Sequence, residues 1–120
     1  MATHDYVVRR IKSFHENAGD DVTADLPGYQ KPPRFEGLRG ATYIPDIYVF
    51  DCKWVYEVKE YWAYCYAAPK LKAFIPDDEV EAVMLVLCSG TPGGVARVES
   101  FLEEQGVDCE VMNYRDLPFW

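Results

Sequence analysis

The 120-residue sequence predicts a single α/β domain, a mixed sheet flanked by helices, spanning residues 1–120. Stretches with strand character alternate with stretches of helical periodicity along its length. Hydrophobic residues make up 49% and aromatic residues 15%, enough for one ordered core. The apolar run Ala82 to Cys88 has the continuous character of a strand covered on both faces.

Each element can be justified in turn. From about Asp5 to Asn17, Val7, Ile11 and Phe14 fall on one stripe at helical spacing, extended by Ala18, and Thr3 stands in the N-cap position. Gly19-Asp20-Asp21 reads as a turn, and Val22 to Leu26 as a strand with Val22, Ala24 and Leu26 on one face. Pro27 and Gly28 break that strand. The stretch to Gly40, with Pro32 and Pro33, reads as a long irregular connection. Tyr43 to Phe50 and Trp54 to Lys59 are rich in β-branched and aromatic residues and flank the turn Asp51-Cys52-Lys53, so an antiparallel strand pair is expected.

Beyond Lys59, the aromatic stretch Glu60 to Tyr66 leads into a turn and a helix centred on residues 65 to 75, which Pro69 starts or kinks. Glu81 to Cys88 is expected as a buried central strand. Thr91-Pro92 opens a helix with Val95, Val98, Phe101 and Leu102 inward, ending at Gly106. Cys109 to Tyr114 is the last strand, and strand, helix, strand at this spacing predicts a parallel right-handed crossover. The apolar end Leu117-Pro118-Phe119-Trp120 should dock on the core or on another subunit.

Composition narrows the function classes. No apolar run approaches the roughly 20 residues of a membrane-spanning helix, and the start of the chain is polar without a secretory apolar segment, so a cytoplasmic protein is expected. Cys52, Cys65, Cys88 and Cys109 are scattered without paired spacing, which suits small buried hydrophobes better than a metal cluster or a disulfide framework. A formal net charge of -8 weighs against tight, indiscriminate binding of nucleic acid. The acids, however, are clustered in separate stretches. The connection from Pro27 to Pro45 carries Lys31, Arg34 and Arg39 against Glu36, with Tyr29, Phe35 and Tyr43 interleaved, a pattern suited to steering or stacking a nucleic-acid strand. Lys70 and Lys72 are further candidates for phosphate contacts.

The chemistry concentrates in Pro45-Asp46 and, eleven residues after that aspartate, Glu57-Val58-Lys59. Side chains alternate along a strand, so Glu57 and Lys59 leave one face about 6.7 Å apart while Val58 enters the opposite layer. Asp46 can then stand across from them, and Pro45, lacking a backbone donor, suits the splayed start of a strand. Magnesium accepts one or two carboxylates and keeps several waters, so Asp46 and Glu57, with the Val58 carbonyl as a third oxygen, meet its needs. Lys59 would orient a water or stabilise a pentavalent transition state.

These residues resemble the signature of the PD-(D/E)xK nuclease superfamily, with Pro45-Asp46 and Glu57-Val58-Lys59 as its two halves. The resemblance implies a restriction-endonuclease-like αβββαβ core, a mixed sheet flanked by helices, with a further C-terminal helix and strand. It implies a nuclease that hydrolyses phosphodiester bonds of DNA, including single-stranded or branched DNA, with Mg2+ or Mn2+. It also implies an auxiliary ligand from the first helix. His15 borders the apolar stripe and ranks ahead of Glu16, which points nearly the opposite way; His4 lies close to the angle of His15. A homodimer would relate two cutting sites by a twofold axis.

Two other classes compete with this reading. The same fold could serve as a non-catalytic binding or assembly module. Alternatively, Ser89-Gly90-Thr91-Pro92-Gly93-Gly94, between a buried strand and a helix, could bind a small phosphate ligand, although it lacks the ending of a phosphate-binding P-loop.

Overall fold

A computed structural model describes residues 2–88 and 92–120. In chain order the elements are helix α1 (His4–Asn17), strands β1 (Val22–Ala24), β2 (Phe35–Glu36), β3 (Thr42–Tyr43), β4 (Ile47–Val49) and β5 (Trp54–Lys59), helix α2 (Ala68–Phe74), strand β6 (Ala82–Leu87), helix α3 (Pro92–Glu104) and strand β7 (Glu110–Asn113). Five strands form one mixed sheet in the order β1-β4-β5-β6-β7. The β1–β4 and β4–β5 pairs are antiparallel, while β5–β6 and β6–β7 are parallel. The expected parallel arrangement around α3 is therefore present. Ser89, Gly90 and Thr91, part of the suggested phosphate-binding turn, lie outside the described residues.

The central strands are buried on both faces, and their side chains sort strictly by parity. Tyr56, Val58, Met84, Val86 and Cys88 enter one apolar cluster with Val7, Val8 and Ile11 of α1. Val55, Val83, Leu85 and Leu87 enter the other with Leu71 and Phe74 of α2 and Val98 and Leu102 of α3. A period of two along each strand makes a three-layer sandwich out of one continuous apolar run. Phe74 and Leu71 are wholly buried, each contributing about 1.5–3 kcal/mol relative to exposure.

α1 begins where Thr3 is extended and its hydroxyl accepts the Tyr6 N–H at 3.3 Å, and the chain reverses at Gly19, whose φ is +88°. Its inner stripe is Val7, Val8, Ile11, Lys12 and His15. The stripe expected through Phe14 and Ala18 is thus displaced, because Phe14 stands at the edge and stacks on Phe119 with ring centroids 4.0 Å apart. The connection after β1 is more ordered than its composition predicts. β2 and β3 pair as a small antiparallel ribbon, which buries Phe35 against Tyr48 and Phe74.

The expected docking of the C-terminal segment is seen within the chain. Leu117 is buried in the first cluster, and Trp120 packs edge-on to Tyr6 and Tyr114 beneath the Arg10 guanidinium, 4.3 Å from the ring centroid. Removing Phe119 and Trp120 should lower unfolding stability by about 1–3 kcal/mol, measured by urea denaturation. An unchanged midpoint would show that the clamp on α1 adds nothing.

Candidate functional site

The β4–β5 register pairs Ile47 with Tyr56, so the next step outward sets Asp46 opposite Glu57. Their backbones no longer close the ladder at that point. The Val58 N–H donates to Asp46 Oδ2 at 2.8 Å, and the Asp46 N–H donates to Glu57 Oε1 at 3.1 Å. Two side-chain carboxylates thus take the place of strand carbonyls where β4 starts late. Both are buried, Glu57 completely. By strand parity Glu57 lies on the face covered by α2, while Val58 lies on the face covered by α1.

Two cations from two helices compensate the pair. His4, in the first turn of α1, places Nε2 3.2 Å from Asp46 Oδ2, and its Nδ1 lies 2.9 Å from Asp5 Oδ1. Lys70 of α2 places Nζ 2.7 Å from Glu57 Oε2. The oxygen itself is sealed from solvent, while the lysine side chain remains partly exposed.

The electrostatics follow from burial and crowding. Burial, and then the Asp46 carboxylate, push Glu57 up to about 8, against the pull of Lys70. The hydrogen bond to Asp46 raises His4 to about 9, overcoming the opposing effect of burial. Burial, the largest single influence, would raise Asp46; the hydrogen bond and charge of His4, the Val58 N–H and the charge of Lys70 together outweigh it and hold Asp46 below the ordinary carboxylate range. Burial would lower Lys70, but Glu57 and Asp46 raise it. The upward shift of Lys70 favours an ionised Glu57, whereas that of Glu57 favours a bound proton. The direction that prevails at Glu57 is upward, because a sealed carboxylate facing a second one is disfavoured in its charged form.

The structure brings together Asp46, Glu57 and Val58 and adds His4, Asp5 and Lys70. Lys59 is half-buried at the end of β5, with its carbonyl accepting from the Cys88 N–H at 2.9 Å and no ion pair among the described residues. His15 and Glu16 are not part of this cluster. The ring nitrogens of His15 lie 2.8 Å from Asp20 Oδ2 and 2.9 Å from the Tyr56 hydroxyl, a buried strut on the other face of β5. Glu16 pairs with Lys12 at 2.8 Å. Of the proposed nucleic-acid contacts, Arg34, Arg39 and Lys72 are exposed, Lys31 pairs with Asp25, and Tyr29 lies under the Lys12 ammonium. Phe35 is in the core and Tyr43 is half-buried against it, so neither offers an open stacking face. Lys70, a candidate for phosphate contacts, is half-buried and paired with Glu57.

Among the described residues, no group of three or more His, Cys, Asp and Glu side chains is placed to hold a metal ion. One or two carboxylates are what a magnesium ion takes, with water completing its shell, so Asp46 and Glu57 fit that need as a pair.

Stability should fall as pH rises. Folded His4 keeps its proton to about 9 against an ordinary 6.5, and folded Glu57 to about 8 against an ordinary 4.5, so the unfolded chain releases both protons first. The depressed Asp46 acts oppositely, and only in acid. Thermal melts without metal should therefore give a Tm that declines from about pH 6 to about pH 9, with a shallower decline in His4→Gln. A Tm rising across that range would contradict the assignment.

No protein-family model, curated protein or solved structure matches the chain. The chemistry of the cluster itself therefore carries the functional reading.

Proposed function

We propose that this protein is a metal-dependent nuclease with a restriction-endonuclease-like core, hydrolysing phosphodiester bonds of DNA with Mg2+ or Mn2+. The observation that carries this reading is the reciprocal bonding of Asp46 and Glu57 across the opened end of β4 and β5. The element order supports it as well: α1, β1, β4, β5, α2 and β6 run as αβββαβ, followed by α3 and β7, with the β2–β3 ribbon as an insertion.

The donor set suits a hard cation. Asp46 and Glu57 supply oxygens, and Glu57 Oε2 is a buried atom whose partner is the Lys70 ammonium at 2.7 Å. The Val58 carbonyl leaves β5 on the same edge as its N–H, toward Asp46, because a strand residue offers both groups to one neighbour. A bound divalent ion would lower the pKa of a water and neutralise charge on the scissile phosphate. His4 takes the place expected for a first-helix ligand. Asp5, bonded to Nδ1, fixes the ring and leaves Nε2 toward the carboxylates. Lys59, on the Glu57 face of β5 and without an ion pair among the described residues, is the cation for the attacking water or the pentavalent phosphate. Arg34, Arg39 and Lys72 are exposed contacts for the DNA backbone.

Purified protein with Mg2+ or Mn2+ should cut linear, single-stranded or branched DNA, followed on gels. Asp46→Asn and Lys59→Ala should each lower the rate by roughly 100-fold or more with circular dichroism unchanged. Equal activity in Lys59→Ala would point to a contaminant or another site. Bound Mn2+ without cutting would favour a non-catalytic binding module of the same fold. His4→Ala should weaken cutting about tenfold or more, whereas Glu16→Ala should leave it unchanged. The reverse pattern would make Glu16, and not His4, the auxiliary ligand.

A further inference from the structure

We infer that Lys70 is a second catalytic cation of this site: its ammonium rests on Glu57 Oε2 while no metal is bound, and passes to a non-bridging oxygen of the scissile phosphate when a divalent ion takes Glu57. The inference rests on the nuclease reading above and adds a residue outside the two sequence elements that suggested it.

Three observations support this assignment. Lys70 comes from α2, the helix that covers the Glu57 face of β5, so it enters from a different layer than His4. Its Nζ is 2.7 Å from Glu57 Oε2, so its charge already stands at an oxygen offered to the metal. Its side chain is 23% exposed, while that of Glu57 is only 1% exposed, so the ammonium stands at the boundary between the sealed carboxylate and solvent. A lysine ammonium is a compact charge on a flexible stem and can change partners by rotation.

Charge matching gives the direction of that change. Without metal, the ammonium is the nearest cation to Glu57. A divalent ion on Asp46 and Glu57 matches both carboxylates and leaves Lys70 without its partner. An incoming phosphodiester brings one negative charge, and its pentavalent transition state carries two. Lys70, freed at the boundary of the site, would add its charge to that of Lys59 as negative charge grows on the phosphate, in a site where poor solvation makes mismatch costly. Lys70 therefore competes with the metal in the resting site and assists it in the transition state.

Those two roles predict opposite signs for one substitution. In Lys70→Met, which keeps the length of the stem, Mn2+ alone should bind roughly fivefold tighter by isothermal titration, because the competing ion is gone. The kcat for single-stranded DNA with Mg2+ should fall on the order of 100-fold, with a smaller change in KM. Lys70→Arg, which keeps the charge, should recover at least about tenfold of the lost kcat and return Mn2+ binding toward that of the parent. Weaker Mn2+ binding in a folded Lys70→Met protein, or an unchanged kcat, overturns the inference. A parent protein that binds Mn2+ but cuts no DNA removes the nuclease reading and the catalytic role of Lys70 with it. The Mn2+ titration then still decides the resting role, which an unchanged Kd in Lys70→Met would overturn.

Discussion

Everything at the opened end of the sheet depends on placing one carboxylate, Glu57, where no water reaches it and directly across from another. Burying an ionised carboxylate is costly unless cations and hydrogen bonds meet it, and a second carboxylate raises the cost. The fold meets this demand with two backbone N–H groups and two cations drawn from separate helices. Sites that strain the usual rules of burial in this way are where catalytic chemistry tends to be found.

The sandwich explains how such a cluster can be held. Strict alternation along β5 sends Tyr56 and Val58 to the α1 layer and Val55 and Glu57 to the α2 layer. Glu57 thus occupies a position that a leucine or valine would fill elsewhere in the same sheet, as Leu85 does beside it on β6. The packing that fixes its neighbours fixes the carboxylate as well. On the opposite face, the His15 bonds to Asp20 and Tyr56 brace α1 against the same strand, so a buried polar group there positions the helix that carries His4.

The sequence made local features legible and left distant ones hidden. That Asp46 and Glu57 lie on adjoining strands could be read from the hairpin, but their direct opposition depends on Phe50 joining the turn: a three-residue turn would have set Asp46 opposite Val58, and the four-residue connection from Phe50 to Lys53 sets it opposite Glu57. A helical wheel cannot separate His4 from His15, because it gives angle but not height: the two lie eleven residues apart, about 16 Å along the axis, and only tertiary packing selects which end meets the carboxylates. Lys70 reads in the sequence as a phosphate contact and not as the partner of Glu57, because that partner lies on a strand in another layer. The β2–β3 ribbon left no periodic signal at two residues per strand, so Phe35 and Tyr43 read as exposed aromatics when they cap the core. Phe14 fell on the expected stripe by angle, but its partner is a phenylalanine from the far end of the chain.

Trp120 against Tyr6 and Arg10 joins the two ends of the described chain on the helix that carries His4. During translation this contact cannot close until residue 120 has left the ribosome. A nascent chain would therefore hold its sheet residues before the first helix is clamped by Trp120. Vectorial synthesis thus makes the grip on the first helix one of the last contacts of the described chain to form.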